Sequence, residues 1–170
     1  VKIDHHAPGG FTARAELADP KASSTAELLY RVFREGDFPI TPEVALNLYV
    51  AILTDTGRFT LPNTTPESLK VCAELIECGV HPGDVGDRLY RSYPAELIAL
   101  RSEVSGGLKF AAGGRIALAV VTHQMLQRHH VDAADTQDFA DIPRQVAGVR
   151  LAELADGPER GVRVADVYTG

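Results

Sequence analysis

Between residues 41 and 94 the chain signals the start of a helix four times, each time with a proline at or beside the first turn. This punctuation constrains the fold more than any other feature. Thr41-Pro42-Glu43 and Thr65-Pro66-Glu67 each supply a capping hydroxyl, a residue whose missing N–H costs nothing in a first turn, and an acid that suits the positive helix end. Val44, Leu46, Leu48, Tyr49, Val50, Ala51, Ile52 and Leu53 follow the first signal and are apolar nearly all round, which predicts a buried helix. Leu69, Val71, Leu75 and Ile76 follow the second. His81-Pro82 opens a helix through Val85, Leu89 and Tyr90, and Pro94 opens another through Leu97, Leu100 and Val104. Upstream, Ser24 and Glu27 form a capping-box pattern ahead of Leu28, Leu29, Val32 and Phe33, with an end near Gly36.

The pattern changes at Ser105-Gly106-Gly107. Residues 108–112 and 115–121 flank Gly113-Gly114, the signature of a hairpin with a two-residue turn. Residues 122–130 read as a short helix, and 131–142, with Asp132, Asp135, Asp138 and Asp141, read as a solvated connection. Val146 to Leu154 and Val162 to Tyr168 are strand-like runs on either side of a turn cluster at 156–161. The expected organisation is a largely helical part over 1–92, a linker helix over 93–107 and a sheet-rich part over 108–170. Because Val1 falls inside a strand-like run, further strands are expected upstream and the chain reads as a fragment.

At 170 residues, with 45% hydrophobic and 24% charged content, the composition is globular, with room for one core or two small lobes. The net charge of -6, without a cluster of lysine or arginine, argues against a strong nonspecific grip on duplex nucleic acid but leaves room for a short anionic substrate. Cys72 and Cys78 stand six apart in a helical pattern with no other soft ligands nearby, which points to buried free thiols and a reducing, cytoplasmic setting. No apolar run reaches the length of a membrane span and no signal-peptide pattern opens the chain.

The chemistry is concentrated at Ile3-Asp4-His5-His6. Strand alternation would send His5 and His6 to opposite faces, so a shared site requires the chain to turn there, and Ala7-Pro8-Gly9-Gly10 supplies a turn. Such a site would lie beyond the carboxyl end of a strand, where ligand crevices of open α/β sheets form. The plain alternative is a chance pair of histidines in a polar loop, or a cloning remnant. A partner occurs in Thr54-Asp55-Thr56-Gly57-Arg58-Phe59, where Asp55 falls at the carboxyl end of the apolar helix. Orphan carbonyls make that end partially negative, so a carboxylate there calls for hydrogen bonds or a cation, and a divalent metal is one such cation. Closing a turn before Gly57 is the other reading of Asp55.

Ile3-Asp4-His5-His6, Ser23-Ser24-Thr25-Ala26-Glu27, Thr54-Asp55-Thr56-Gly57 and Asn63-Thr64-Thr65-Pro66, in this order, resemble the DHH phosphoesterase family. Within it the pattern is most similar to the nanoRNases, manganese-dependent enzymes that hydrolyse very short oligoribonucleotides and often 3'-phosphoadenosine 5'-phosphate. The resemblance covers nearly the whole chain. It implies an α/β fold: the C-terminal, largely helical portion of a parallel-sheet DHH domain, joined by the linker helix to a partial α+β domain with a mixed sheet. It implies hydrolysis of short oligoribonucleotides or nucleoside 3',5'-bisphosphates by metal-activated water. His5 and Asp55 would be ligands in a two-manganese centre of the full-length protein. His6 would contact the scissile phosphate or assist the leaving group, and Asp4 would orient the histidines. Arg58 would approach the substrate phosphate, with a structural ion pair as its alternative.

Three departures accompany the resemblance. The family's upstream histidine and aspartate motifs would lie before Val1. Gly9 stands where an asparagine is common, and the run from Val162 to Tyr168 stands where the family has a serine- and arginine-bearing segment followed by a glycine-rich loop. The 170 residues alone are therefore expected to form a half-built site with little hydrolase activity. Short single-stranded RNA or a nucleoside bisphosphate is the expected partner, with no duplex DNA and no membrane, and a homodimer follows if apolar helix faces stay uncovered. The competing functions are a non-catalytic nucleotide-binding regulatory module with a residual metal site, and another hydrolase of the superfamily, an inorganic pyrophosphatase or single-strand exonuclease. His129-His130 read as an exposed helix end, and Tyr90, Tyr93 and Tyr168 as packing residues rather than a base-stacking platform.

Overall fold

Every proline-marked start becomes a helix in the computed structural model, which describes residues 1–6 and 13–156 and divides the chain into two units, Val1–Arg91 and Ser92–Gly170. In the first unit, β1 (Lys2–Asp4) and β2 (Glu16–Ala18) pair in parallel, with Ile3 opposite Leu17. Four helices follow: α1 (Thr25–Glu35), α2 (Pro42–Asp55), α3 (Pro66–Glu77) and α4 (Pro82–Tyr90). Thr41 Oγ1 accepts from Val44 N at the start of α2. At α3, Thr65 and Ser68 exchange two bonds of 3.0 Å, each hydroxyl accepting from the other's backbone N–H. The reciprocal box expected at Ser24 and Glu27 is only half formed. Ser24 Oγ accepts from Glu27 N, but the Glu27 carboxylate turns to Ser23, taking both its N–H and its hydroxyl.

The core of this unit joins Ala26 and Tyr30 of α1, Ala45, Leu48, Tyr49, Ile52 and Leu53 of α2, and Val71, Cys72 and Leu75 of α3. Burying each large aliphatic side chain here contributes about 1.5–3 kcal/mol. Helix α2 is not buried all round as its composition suggests. It packs against α1 and α3, while Leu46 stays exposed and Val44, Val50 and Ala51 are half-buried. Cys72 is buried and Cys78 half-buried, both as free thiols, and burial pushes the Cys72 thiol up to about 11.

The second unit begins with α5 (Ala95–Gly106), capped by Gly107, within the span expected of the linker helix. β3 (Lys109–Ala111) and β4 (Ile116–Val121) are antiparallel, with Ala111 paired to Ile116. The hairpin is present, but its connection is wider than Gly113-Gly114 and contains a 3-10 turn over Ala112–Gly114 in which both glycines have positive φ, 68° and 86°. α6 (His123–His129) matches the expected short helix. Residues 131–142 are not a solvated loop: a 3-10 helix over Ala133–Ala140 and α7 (Asp141–Arg144) place Phe139 and Ile142 in the core. Three of the four acids there have partners. Asp132 caps the 3-10 helix through Ala134 N at 3.0 Å, Asp138 meets Arg101 at 2.9 Å, and Asp141 meets Arg144 at 3.1 Å.

β5 (Leu151–Asp156) begins later than the strand expected from Val146 and pairs in parallel with β4. The order β3-β4-β5 makes a mixed sheet with β4 at its centre, where Ala117, Ala119 and Val121 are buried on one face and Ala119 and Val121 join Leu97, Leu100, Val104 and Phe139 in the core. The turn at 7–10 and the strand expected from Val162 to Tyr168 lie outside the described residues. Among the described residues, no helix is long and apolar enough to cross a membrane.

Candidate metal centre

β1 ends at Asp4, and the chain turns at once. The rings of His5 and His6 lie 4.4 Å apart at 54°, as neighbours rather than on opposite faces of a continuing strand. Asp4 Oδ1 binds His6 twice, through ring Nδ1 at 2.7 Å and the backbone N–H at 3.1 Å, while Lys2 Nζ stands 3.6 Å from Oδ2. The His6 ring bond, then its backbone N–H, hold the Asp4 carboxyl down at about 2. Asp4 is therefore an ionised acceptor at neutral pH, which assigns the shared proton to His6 Nδ1 and leaves Nε2 as that ring's second functional nitrogen. The orienting bond expected of Asp4 thus goes to His6.

Asp55 is the last residue of α2, and the peptide groups around it are well satisfied. Thr56 N donates to Ile52 O, Arg58 N to Leu53 O and Gly57 N to Thr54 O, while Asn63 Nδ2 donates to Asp55 O at 3.0 Å. The last turn of α2 has no basic residue, so the negative helix end is not offset by a side chain of its own helix. The Asp55 carboxylate is instead near the strand end: its Oδ2 lies 3.6 Å from His5 Nε2, across fifty positions of sequence.

An imidazole nitrogen and a carboxylate oxygen at this separation fit one divalent ion, because two bonds of about 2.0–2.2 Å can span up to roughly 4.4 Å. The donor types suit manganese, zinc, iron or cobalt. Two donors make only part of a coordination sphere, and among the described residues no cluster of three or more His, Cys, Asp or Glu could hold a metal.

Arg58 follows in a left-handed stretch, with φ of 53° at Gly57 and 62° at both Arg58 and Phe59. Its guanidinium lies 4.1 Å from the centroid of the Tyr90 ring, a cation–π pair with the arginine exposed, and among the described residues it has no carboxylate in ion-pair range. His129 also departs from expectation. Its Nε2 meets Glu103 Oε2 at 2.6 Å while Arg128 takes the other oxygen, so this helix end is tied to α5 rather than free in solvent.

A polar chain behind the candidate ligands escaped the sequence reading of roles. Glu27, 1% exposed, accepts from Ser23 N at 2.9 Å, Ser23 Oγ at 2.7 Å and the Arg31 guanidinium. Arg31 also binds Asp19 at 3.0 Å, and Asp19 N donates to Asp4 O at 3.2 Å. On the other side, Asn63 Nδ2 donates to Ser23 O at 2.9 Å as well as to Asp55 O. The motifs that contain Ser23, Glu27 and Asn63 were visible in the sequence, but their mutual contacts span up to forty positions and have no local signal.

The structure thus brings the strand-end His5 to the helix-end Asp55, the two residues that the resemblance to the DHH phosphoesterases names as ligands. The chain is similar to proteins of known name and structure over most of its length. It is 32% identical over 165 residues to the bifunctional oligoribonuclease and PAP phosphatase NrnA of Thermus thermophilus, an alignment covering 97% of this chain and 49% of the relative. It also resembles an exopolyphosphatase-related protein from Bacteroides fragilis of known structure, with a TM-score of 0.84 and 26% identity over 91% of this chain and 46% of that one. A probable manganese-dependent inorganic pyrophosphatase of Staphylococcus aureus is 38% identical over 76 residues, 43% of this chain and 24% of that protein. No family model matches. The chain spans about half the length of the NrnA relative it matches.

Proposed function

We propose that this chain supplies part of the catalytic centre of a manganese-dependent phosphoesterase that hydrolyses short oligoribonucleotides and nucleoside 3',5'-bisphosphates. The observation that carries the reading is the 3.6 Å approach of His5 Nε2 to Asp55 Oδ2, two hard-to-borderline donors from separate elements. The NrnA relative supports the substrate class, and the pyrophosphatase relative supports manganese. A divalent ion held by His5 and Asp55 would supply Lewis acidity toward water and toward the phosphoryl oxygens.

The remaining roles belong to the chain's own side chains. Asp4 holds His6 by its Nδ1, presenting Nε2 to accept a proton in the neutral ring or, in the imidazolium form, to donate to a phosphate oxygen or the leaving group. Arg58, steadied on Tyr90, keeps the edges of its guanidinium available to a second phosphate oxygen. A reducing cytoplasmic setting is part of the proposal, supported by the two free thiols. Because the described residues contribute two donors, the 170 residues alone are expected to turn over little substrate. The test uses protein from the complete reading frame. His5→Ala and Asp55→Asn should each abolish manganese-dependent cleavage of a dinucleotide, and parental rates in either variant would refute the metal assignment.

A further inference from the structure

The two candidate ligands stand on different elements, His5 beyond the end of β1 and Asp55 at the end of α2, yet one continuous polar path joins their supports. It runs from Asp4 O to Asp19 N, through the Asp19 carboxylate to Arg31, to the buried Glu27, to Ser23, and through Asn63 to Asp55 O. We propose that Asn63, backed by Ser23 and Glu27, is a positioning residue that fixes Asp55 at its working distance from His5. The inference rests on the metal reading above and adds residues that lie outside the ligand set.

Three features carry it. The orientation of the Asn63 amide is determined, because both nearby acceptors are carbonyls and only Nδ2 can donate to them. Among the described residues that orientation leaves Asn63 Oδ1 buried without a partner, so the two donor bonds are kept at the expense of the oxygen. Ser23 in turn is not free to follow Asn63. Its N–H and hydroxyl are both bound by Glu27, a carboxylate that Arg31 neutralises inside the fold, and α1, which carries Glu27 and Arg31, packs against β1. Displacing Asn63 therefore removes the tie between the Asp55 and Ser23 carbonyls while leaving every proposed ligand in the sequence.

The experiment is an electron paramagnetic resonance titration of free Mn2+, with thermal melting alongside, against protein from the complete reading frame: the parent, Asp55→Asn, Asn63→Ala and Tyr30→Phe. The last variant removes the Tyr30 hydroxyl bond to Glu74 between α1 and α3 and serves as a stability control outside the path. Loss of a group that orients a ligand weakens metal binding by about 10–100-fold. Asn63→Ala should show a loss in that range, with Asp55→Asn losing at least as much and Tyr30→Phe binding as the parent does. Parental affinity in Asn63→Ala, with Asp55→Asn impaired, overturns the positioning role and leaves the metal reading intact. Equal binding by Asp55→Asn and the parent, or no binding by the parent, overturns the metal reading and this inference with it. If Asn63→Ala does not fold, Asn63→Ser, whose short hydroxyl cannot donate to both carbonyls, decides: weaker Mn2+ binding supports the positioning role, and parental affinity overturns it.

Discussion

The left-handed stretch after Asp55 allows a backbone cost to be separated from a side-chain contact at one position. Arg58 has φ of 62°, is exposed, and places its guanidinium 4.1 Å from the Tyr90 ring centroid. An L-residue in the left-handed region costs roughly 1–2 kcal/mol, and an exposed cation–π pair returns about 0.5–1 kcal/mol. Arg58→Ala removes the pair and keeps the strain, so it should destabilise by about 0.5–1 kcal/mol. Arg58→Gly loses the same pair but sheds the strain, against an added chain entropy of about 0.5–1 kcal/mol in the unfolded state. Glycine should therefore exceed alanine by about 0.5–1 kcal/mol at this site, the reverse of their order inside a helix. Urea unfolding with a slope of about 1–3 kcal/mol per molar resolves such a gap as a midpoint shift of a few tenths molar. An alanine variant as stable as the glycine variant would refute the strain argument. Both variants should raise KM for a dinucleotide and leave kcat in place if Arg58 steadies ground-state phosphate; unchanged KM in both would remove Arg58 from the substrate site.

Acid sensitivity should be traceable to Asp4. Its folded pKa is about 2 against an ordinary 3.8, so its stabilising contribution is present above pH 3.8 and is lost as pH falls through about 2; Asp4→Asn should flatten that segment of the pH–stability curve, and an unchanged curve would count against the His6 bond. Phe139→Ala should destabilise the second unit by about 3–5 kcal/mol, since the ring is fully buried among Leu100, Val104 and Ile142, and denaturant unfolding followed by circular dichroism reads it directly. Thiol titration near pH 8 should label Cys78 well before Cys72, whose pKa is pushed up to about 11 by burial; comparable rates would contradict that burial.

The helices were legible because their start signals are local. Thr41-Pro42 and Thr65-Pro66 act through a hydroxyl and a fixed φ within one turn, and both open helices where expected. The misreadings came where a local pattern has two outcomes. The segment 131–142 looks like a solvated loop; Asp132, Asp135 and Asp141 are indeed exposed, but they cap or sit on short helices whose other face buries Phe139 and Ile142. Glu27 looks like half of a capping box, but burial beside Arg31 directs its carboxylate to Ser23.

From the sequence alone came the family resemblance, the order of the helices and the names of the candidate ligands, because these depend on residue identity at short spacing. Tertiary structure decided which groups meet. His5 and Asp55 are fifty positions apart and Ser23 and Asn63 forty, and their contacts are set by how α1, α2 and β1 pack rather than by any neighbour in the chain. Asp4-His5-His6 becomes a candidate metal site only through that packing, which places a carboxylate from the negative end of one helix against an imidazole at the end of a strand.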